Sequence, residues 1–586
     1  MHNVKKVALV SMLIGLAIVG TAVAGTPVTA NITTSQTWTK AGSPYHLTKQ
    51  IYVEPGATLT MEAGTVVASF VADQGSLAVC RKAKIYIKGT KCEPVIMTSA
   101  EDVATWQGSV VTRSGGYVNA IITMGDPKTG TWREACNEWG NLTIMGEALI
   151  SASHYGNNPV TYRDGYGAPV VTNTKIPTGL NKKIMEGLTA DAPGDPKVLY
   201  GGADDYDDSG CIEYLSIRYG GKVIQLQNEL NGLSLGGIGR ETDISFVEIM
   251  NNVDDGIEIW GGTVNLDHVN IWNIGDDSFD FDEGWRGCAE YGLIVQGYSI
   301  DDSQGSGVGD NCLEHDGAED ADAQPMTTAQ IKHFTMVGQP EDGDYGCAWR
   351  DNARVQYVRC IWMDLGADLV WDDNHDTDGA NGYDGLTSAP PLPGDANPLS
   401  PVRINSADGT MSWRDTWQTD YDTWANSAWA QVNLGDGDPC EIYRRFQCCC
   451  CQSPAKLASI TESVFYNIPT YTEADIVGVT NAGGYNGLQA ATNVITSTMP
   501  IQKLVRGPAV TKGGKTMVPV ININPISHGD AFDKGAGGFN CCHNWLRCWT
   551  AADAYGMTDT SNSDLNCDDE INVEDFAEFA EDWLLI

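Results

Sequence analysis

The chain has 586 residues, with 76 acidic and 36 basic side chains and a formal net charge of −40. A surface this acidic repels nucleic acid and anionic lipid and favours cations, so neither nucleic acid nor an anionic membrane surface is expected as a partner. Length alone would suggest three or four domains of ~100–200 residues, but solenoids grow by repetition and escape that estimate.

The chain opens Met1-His2-Asn3-Val4-Lys5-Lys6, followed by an apolar run from Val7 to Val19 and then Ala22-Val23-Ala24. A basic start, a short apolar stretch and an A-x-A site make residues 1–24 an expected secretory signal peptide. The run is shorter than the ~20 apolar residues a membrane span needs. The expected location is secreted, extracellular or at the cell surface. The 17 cysteines all lie after this segment, and in an exported chain they are expected in disulfides. Cys80 and Cys92 could pair, and Cys312, Cys347 and Cys360 sit in neighbouring segments. The odd total leaves the connectivity open.

From Ile51 to Val67, and again from Ala83 to Thr98, apolar residues alternate with turn punctuation, which predicts short half-buried strands. Ile212–Ile217 has the same pattern. The clearest signal is central: residues 244–259, ISFVEIMNNVDDGIEI, align without gaps on residues 266–281, LDHVNIWNIGDDSFDF, at an offset of 22. Each unit is too small to bury its own apolar face, and stacked units can. Ile331–Val337 and Val355–Ile361 repeat at an offset of 24, and Ile460–Asn467 is a candidate late coil. A β-sandwich would space its strands at 8–12 residues, which the clean 22-residue offset argues against. The expected fold is all-β: a right-handed parallel β-helix solenoid over residues 25–557. Long loop insertions are expected near 151–208 and 372–440, where Gly, Pro, Asn and Asp accumulate.

The stretches VEPGATLTMEAGTVV, KIYIKGTKCEPVIMTSA and EWGNLTIMGEALI resemble the first coils of secreted bacterial, pectate-lyase-like β-helix proteins. The stretch from Glu229 to Gly287 resembles the centre of one such family, and Asn524–Met557 resembles its closing segment. The likeness implies architecture. It implies little about activity, because pectin-degrading enzymes, adhesins and structural proteins share the fold.

Coils stack ~4.8 Å apart, so a 22-residue register would bring Asp254 near Asp276 and Asp255 near Asp277. Four converging carboxylates must be solvated, protonated or bridged by a cation such as calcium, which accepts 6–8 oxygen ligands. Asp280, Asp282 and Glu283 add to this acidity. Asp254, Asp255, Asp276, Asp277 and Asp280 are also the candidates for catalysis, since glycoside hydrolysis on this fold uses paired carboxylates. Gly275-Asp276-Asp277 resembles a polygalacturonase motif, but no Gly-His-Gly follows, and Val402-Arg403-Ile404-Asn405 is not that family's Arg-Ile-Lys. A lyase would want a base beside the cation, and Arg218 and Arg286 are available. Asp204, Asp205, Asp207 and Asp208, and Asp372, Asp373, Asp376 and Asp378, are further acidic groups. Trp260, Trp272 and Trp285 surround the repeat and could stack on sugars or pack the coils. Cys448-Cys449-Cys450-Cys451, with Cys541, Cys542, His543 and Cys548, suits disulfides better than a metal, because strand neighbours point to opposite faces.

Residues 564–575 read DLNCDDEINVED. Asp564, Asn566, Asp568, Glu570, Asn572 and Asp575 occupy positions 1, 3, 5, 7, 9 and 12 of a calcium loop, and Val573–Leu585 reads as a short amphipathic helix. The segment 561–586 resembles half of a type I dockerin, which implies calcium as cofactor and a cohesin-like or cell-surface protein as partner. Asp569 stands where glycine is usual, and only one loop is present. The expected function is a calcium-binding extracellular protein that presents a surface to polysaccharide, envelope or protein. Alternatives are a polysaccharide lyase or hydrolase, and a self-assembling surface-layer or fibre subunit.

Overall fold

A computed structural model describes residues 25–150, 160–163, 169–173, most of 182–297, 309–317, most of 327–372, 458–469 and most of 492–559. The expected signal peptide of residues 1–24, Cys448 to Cys451, and the expected calcium loop from Asp564 to Asp575 lie outside the described residues.

Alternating apolar residues make strands that bury one face each, and short Asn- and Gly-containing turns let successive strands climb one coil at a time. Two long sheets result. One has nine strands in parallel: Gln50–Val53, Ser76–Val79, Leu142–Met145, Leu233–Ile238, Ile257–Gly262, Phe279–Asp282, Leu313–Asp316, Cys347–Arg350 and Val370–Asp372. The other, of seventeen strands, is built in its middle from Gly210–Arg218, Asp243–Asn252, Asn265–Ile274, Cys288–Val295 and Thr328–Val337. The fold is a right-handed parallel β-helix, as the repeat implies. No described helix is long and apolar enough to cross a membrane.

Side chains facing the axis form one continuous core, in which Ile244, Val247, Leu266, Val269, Ile257 and Phe279 are all buried. Burying each such side chain stabilises the fold by about 1.5–3 kcal/mol. The 22-residue register holds: Ile244 stacks on Leu266 and Ile257 on Phe279. The 24-residue register does not. Ile331 stacks on Tyr357 and Ala329 on Val355, an offset of 26. A slip of two residues keeps every side chain on its own face, so the apolar pattern cannot detect it. The late coil is present as Ser459–Thr461 and Val464–Tyr466. The described parts of 160–200 form two short antiparallel pairs outside the long sheets.

Each of these long strands bends part-way along at a residue held at positive φ: Tyr214, Phe246, His268, Tyr291 and His333. Left-handed backbone costs a non-glycine residue roughly 1–2 kcal/mol. Stacking offsets that cost. The rings lie face to face in a row with centroids 4.3, 4.4, 5.0 and 5.1 Å apart, a geometry that contributes about 0.5–1.5 kcal/mol per pair.

The expected Cys80–Cys92 bridge does not form: Cys80 is a buried free thiol, and burial pushes it up to about 12. Cys312, Cys347 and Cys360 are also free and fully buried. They fill the core as small apolar side chains instead of bridging coils. Trp272 and Trp285 are fully buried and Trp260 nearly so, so these rings pack the coils and are not open to a sugar.

After the last strand of the seventeen-stranded sheet, Val494–Thr496, the described residues between Ile501 and Asp559 close over its outer face. Trp545 and Trp549 set their rings edge-on against Phe246. Glu248, fully buried on that face, accepts hydrogen bonds from the Ala551 and Ala552 amides, from Asn270 Nδ2 at 3.0 Å and from the Ser216 hydroxyl. Replacing Glu248 with Ala strands these donors in a buried site, at about 1–3 kcal/mol each. Glu248→Ala is expected to lower the unfolding midpoint and to open residues 545–555 to limited proteolysis, whereas an unchanged digestion pattern would show that the segment docks without it.

Candidate cation-binding face

The outward edge of the nine-stranded sheet carries the acidic turns. Three coils place equivalent residues in columns. Asp255 and Asp277 align through the bond from the Gly256 amide to the Asp277 carbonyl, and Asp276 and Asp310 through the bond from the Asp310 amide to the Asp276 carbonyl. Glu258, Asp280 and Glu314 are register partners on successive strands. The turn after Asp255 needs glycine, since a Cβ on Gly256 would lie 2.4 Å from the Ser278 carbonyl.

One column is a hydrogen-bonded ladder. Asn231 Oδ1 accepts from the Asp255 amide at 3.2 Å, Asp255 Oδ1 from the Asp277 amide at 2.9 Å, and Asp277 Oδ1 from the Asn311 amide at 2.7 Å. The acceptor is an amide oxygen on one rung and a carboxylate oxygen on the next two. Asn231 shows that an amide oxygen serves the ladder, so the charge on Asp255 and Asp277 is not required by it.

The columns bring three groups of carboxylates together: Asp254, Asp255 and Asp276; Asp255, Glu258 and Asp280; and Asp276, Asp277 and Asp310. Within each group the oxygens lie within 4.8 Å of one another. Asp255, Glu258 and Asp277 are buried. Asp280 Oδ1 is buried without a hydrogen-bond partner among the described residues, as is Asn311 Oδ1. Burial first, and neighbouring carboxylates second, push Asp254, Asp255, Glu258, Asp277 and Asp280 well above the ordinary carboxylate range. The same causes raise Asp310 to about 7. Positive charge meets the far end of the row, where Arg350 pairs with Glu314 and lies 3.5 Å from Asp316.

All five acidic candidates of the repeat therefore meet on one face, but as overlapping triads rather than one set of four. Glu258 and Asp310 complete the triads and were not singled out from sequence. Glu258 was legible, since it sits 22 residues before Asp280. Asp310 was not, because an insertion separates it from Asp276 by 34 residues. The Asp204–Asp208 group is dispersed. Asp205 takes a bidentate pair from Arg286 at 2.7 and 2.8 Å, and Asp208 pairs with Lys84 at 2.5 Å. Arg286 is thereby committed to Asp205, and Arg218 lies beside Asp102. Neither of these arginines is a base for the acidic face.

Two measurements follow from these charges. The raised carboxyls keep their protons longer in the folded chain than in the unfolded one, whose carboxyls titrate near ~4. Their contribution is present at acidic pH and is lost as pH rises toward the folded values. Asp205, held low against burial by Arg286, acts in the opposite sense and loses its contribution as pH falls below the ordinary range. In chelator, the melting temperature is expected to peak near pH ~4–5 and to fall toward pH ~7; a flat or rising profile would contradict the assignment. Asp255→Asn keeps the ladder acceptor and removes a buried carboxyl whose ionisation burial and neighbouring carboxylates oppose, so in chelator at neutral pH it is expected to melt higher than the wild type.

Comparison with protein families matches the description "Pectate-lyase like beta helix domain" over residues 30–119 and 180–382, together half of the chain. Searches of curated proteins and of solved structures gave no match. The matched ranges span the early coils and all of the acidic columns. With its stacked parallel coils, the chain belongs to the pectate-lyase-like β-helix family.

Proposed function

We propose that this is an extracellular β-helix protein whose acidic face binds calcium and, through it, an acidic polysaccharide. The observation that carries the reading is the set of overlapping carboxylate triads on ladder rungs whose charge the ladder does not need. Calcium binds oxygens at 2.3–2.6 Å, so two ligands of one ion lie at most ~4.6–5.2 Å apart. Oxygens within 4.8 Å of one another fit that shell. A bound cation would also offset the burial and the mutual repulsion that raise these carboxyls. Open coordination positions would take carboxylates from an anionic sugar chain, which this acidic protein would otherwise repel.

Export rests on the N-terminal pattern of residues 1–24, and a second class of calcium site on the loop from Asp564 to Asp575. A cohesin-like partner would engage that module. Hydrolysis is the alternative; hydrolase carboxyl pairs stand ~5–5.5 Å or ~6.5–9.5 Å apart, whereas the facing oxygens within each triad lie within 4.8 Å.

Calcium titration of the full chain, of Asp276→Asn and of Asp564→Ala separates the two classes. Asp276 belongs to two triads, so Asp276→Asn is expected to remove coil sites while Asp564→Ala removes the tail site. Calcium at about a hundred times its Kd stabilises by about 2.7 kcal/mol per site. That gain is expected in Asp564→Ala and largely absent in Asp276→Asn. If Asp276→Asn binds and stabilises like the wild type, the coil face is not a calcium site.

A further inference from the structure

A second feature lies away from the acidic face, where the closing segment roofs the N-terminal coils. A half-open cavity of ≈ 800 Å³ sits there. In a chain with so few cations, four of them line it: Lys40, Lys128, Arg218 and Arg547. Its three acids are already engaged. Glu93 pairs with Lys40 at 2.8 Å, Asp126 accepts the Lys128 amide at 2.9 Å, and Asp553 accepts the Cys548 amide at 2.8 Å and the Thr558 hydroxyl at 3.0 Å.

Arg218, at the end of the strand Gly210–Arg218, is 1 % exposed. Its Nε donates to Ser216 Oγ at 2.8 Å. Among the described residues its terminal nitrogens donate to nothing, and Nη1 is buried without a hydrogen bond. The nearest carboxylate oxygen, on Asp102, stands 3.7 Å away, beyond hydrogen-bond reach. The Tyr555 ring lies under the guanidinium at 5.6 Å and helps to fix its plane. A buried planar fork with unused donors matches a carboxylate bidentately. Beside it, Val66, Ile96 and Trp549 give the cavity an apolar wall, and the volume falls in the range that holds a small organic molecule.

We infer that this cavity is a binding site for a small organic carboxylate, held by the Arg218 fork with its body against Val66, Ile96 and Trp549. The source is either a sugar acid or a non-sugar carboxylate, since both present the same group. The site needs no metal and is independent of the acidic face.

The test is calorimetric titration of the full chain in chelator with galacturonate, benzoate and inorganic phosphate. One carboxylate per chain is expected to bind, more tightly than phosphate. Binding of galacturonate alone would identify a sugar acid, and binding of both carboxylates or of benzoate alone would identify a broader carboxylate site. Arg218→Gln is expected to weaken binding at least about tenfold. Because Arg218 is buried, the exposed Lys128→Glu serves as a second variant, expected to weaken binding several-fold with its melting temperature unchanged. No binding of either carboxylate, tighter binding of phosphate, or wild-type affinity in both variants would overturn the assignment.

Discussion

The parallel register between coils is the constraint on which the rest depends. Backbone bonds hold successive strands ~4.8 Å apart, and parallel pairing puts equivalent positions directly above one another. Any residue type repeated at the coil period becomes a column, whatever its chemistry. Leucine and isoleucine columns make the core. Asparagine and aspartate columns make a ladder that satisfies turn amides. Aromatic residues at the bends make a stack that holds an unfavourable backbone in place. Charge is the exception, because stacking like charges is costly, and a column of carboxylates therefore calls for an explanation that a column of asparagines does not.

The ladder supplies that contrast within one chain. Asn231, Asp255 and Asp277 hold the same kind of bond to the next coil. The two aspartates stand in the middle, where Glu258 crowds Asp255, Glu314 and Asp310 crowd Asp277, and Asp280 crowds both. The same scaffold thus provides an amide rung and two carboxyl rungs without changing its backbone. Loops and closing segments elaborate the rest, and the Arg218 cavity arises where one of them meets the stack.

How much of this was legible follows from how local each signal is. The repeat around residues 244–281 was readable because two adjacent coils have no insertion between their equivalent residues. The pairing of Ile331 with Tyr357 was not, since a two-residue slip leaves the apolar pattern intact. Asp310 was hidden by an insertion. Tyr214, Phe246 and His268 gave no hint of left-handed backbone, because glycine and asparagine are the residues that usually mark it. The buried core cysteines misled for a different reason. Export suggests oxidation, but Cys312, Cys347 and Cys360 stay free thiols sealed together in the apolar core, near enough for Cys312 and Cys360 to act on Cys347 without bridging to it. The cavity at Arg218 joins residues from Lys40 to Ala554, and no local pattern could have announced it.

The bond between Glu248 and the amides of Ala551 and Ala552 spans about three hundred residues. A chain made from its N-terminus places the coil of Glu248 long before its partners exist. Until they arrive, that carboxyl must stay wet or protonated, and the stacked rings beside it lack the Trp545 and Trp549 edges. Coils can form early, because their contacts are to neighbours. Docking of the closing segment is necessarily among the last events, so the order of synthesis sets when the finished outer surface of this solenoid first exists.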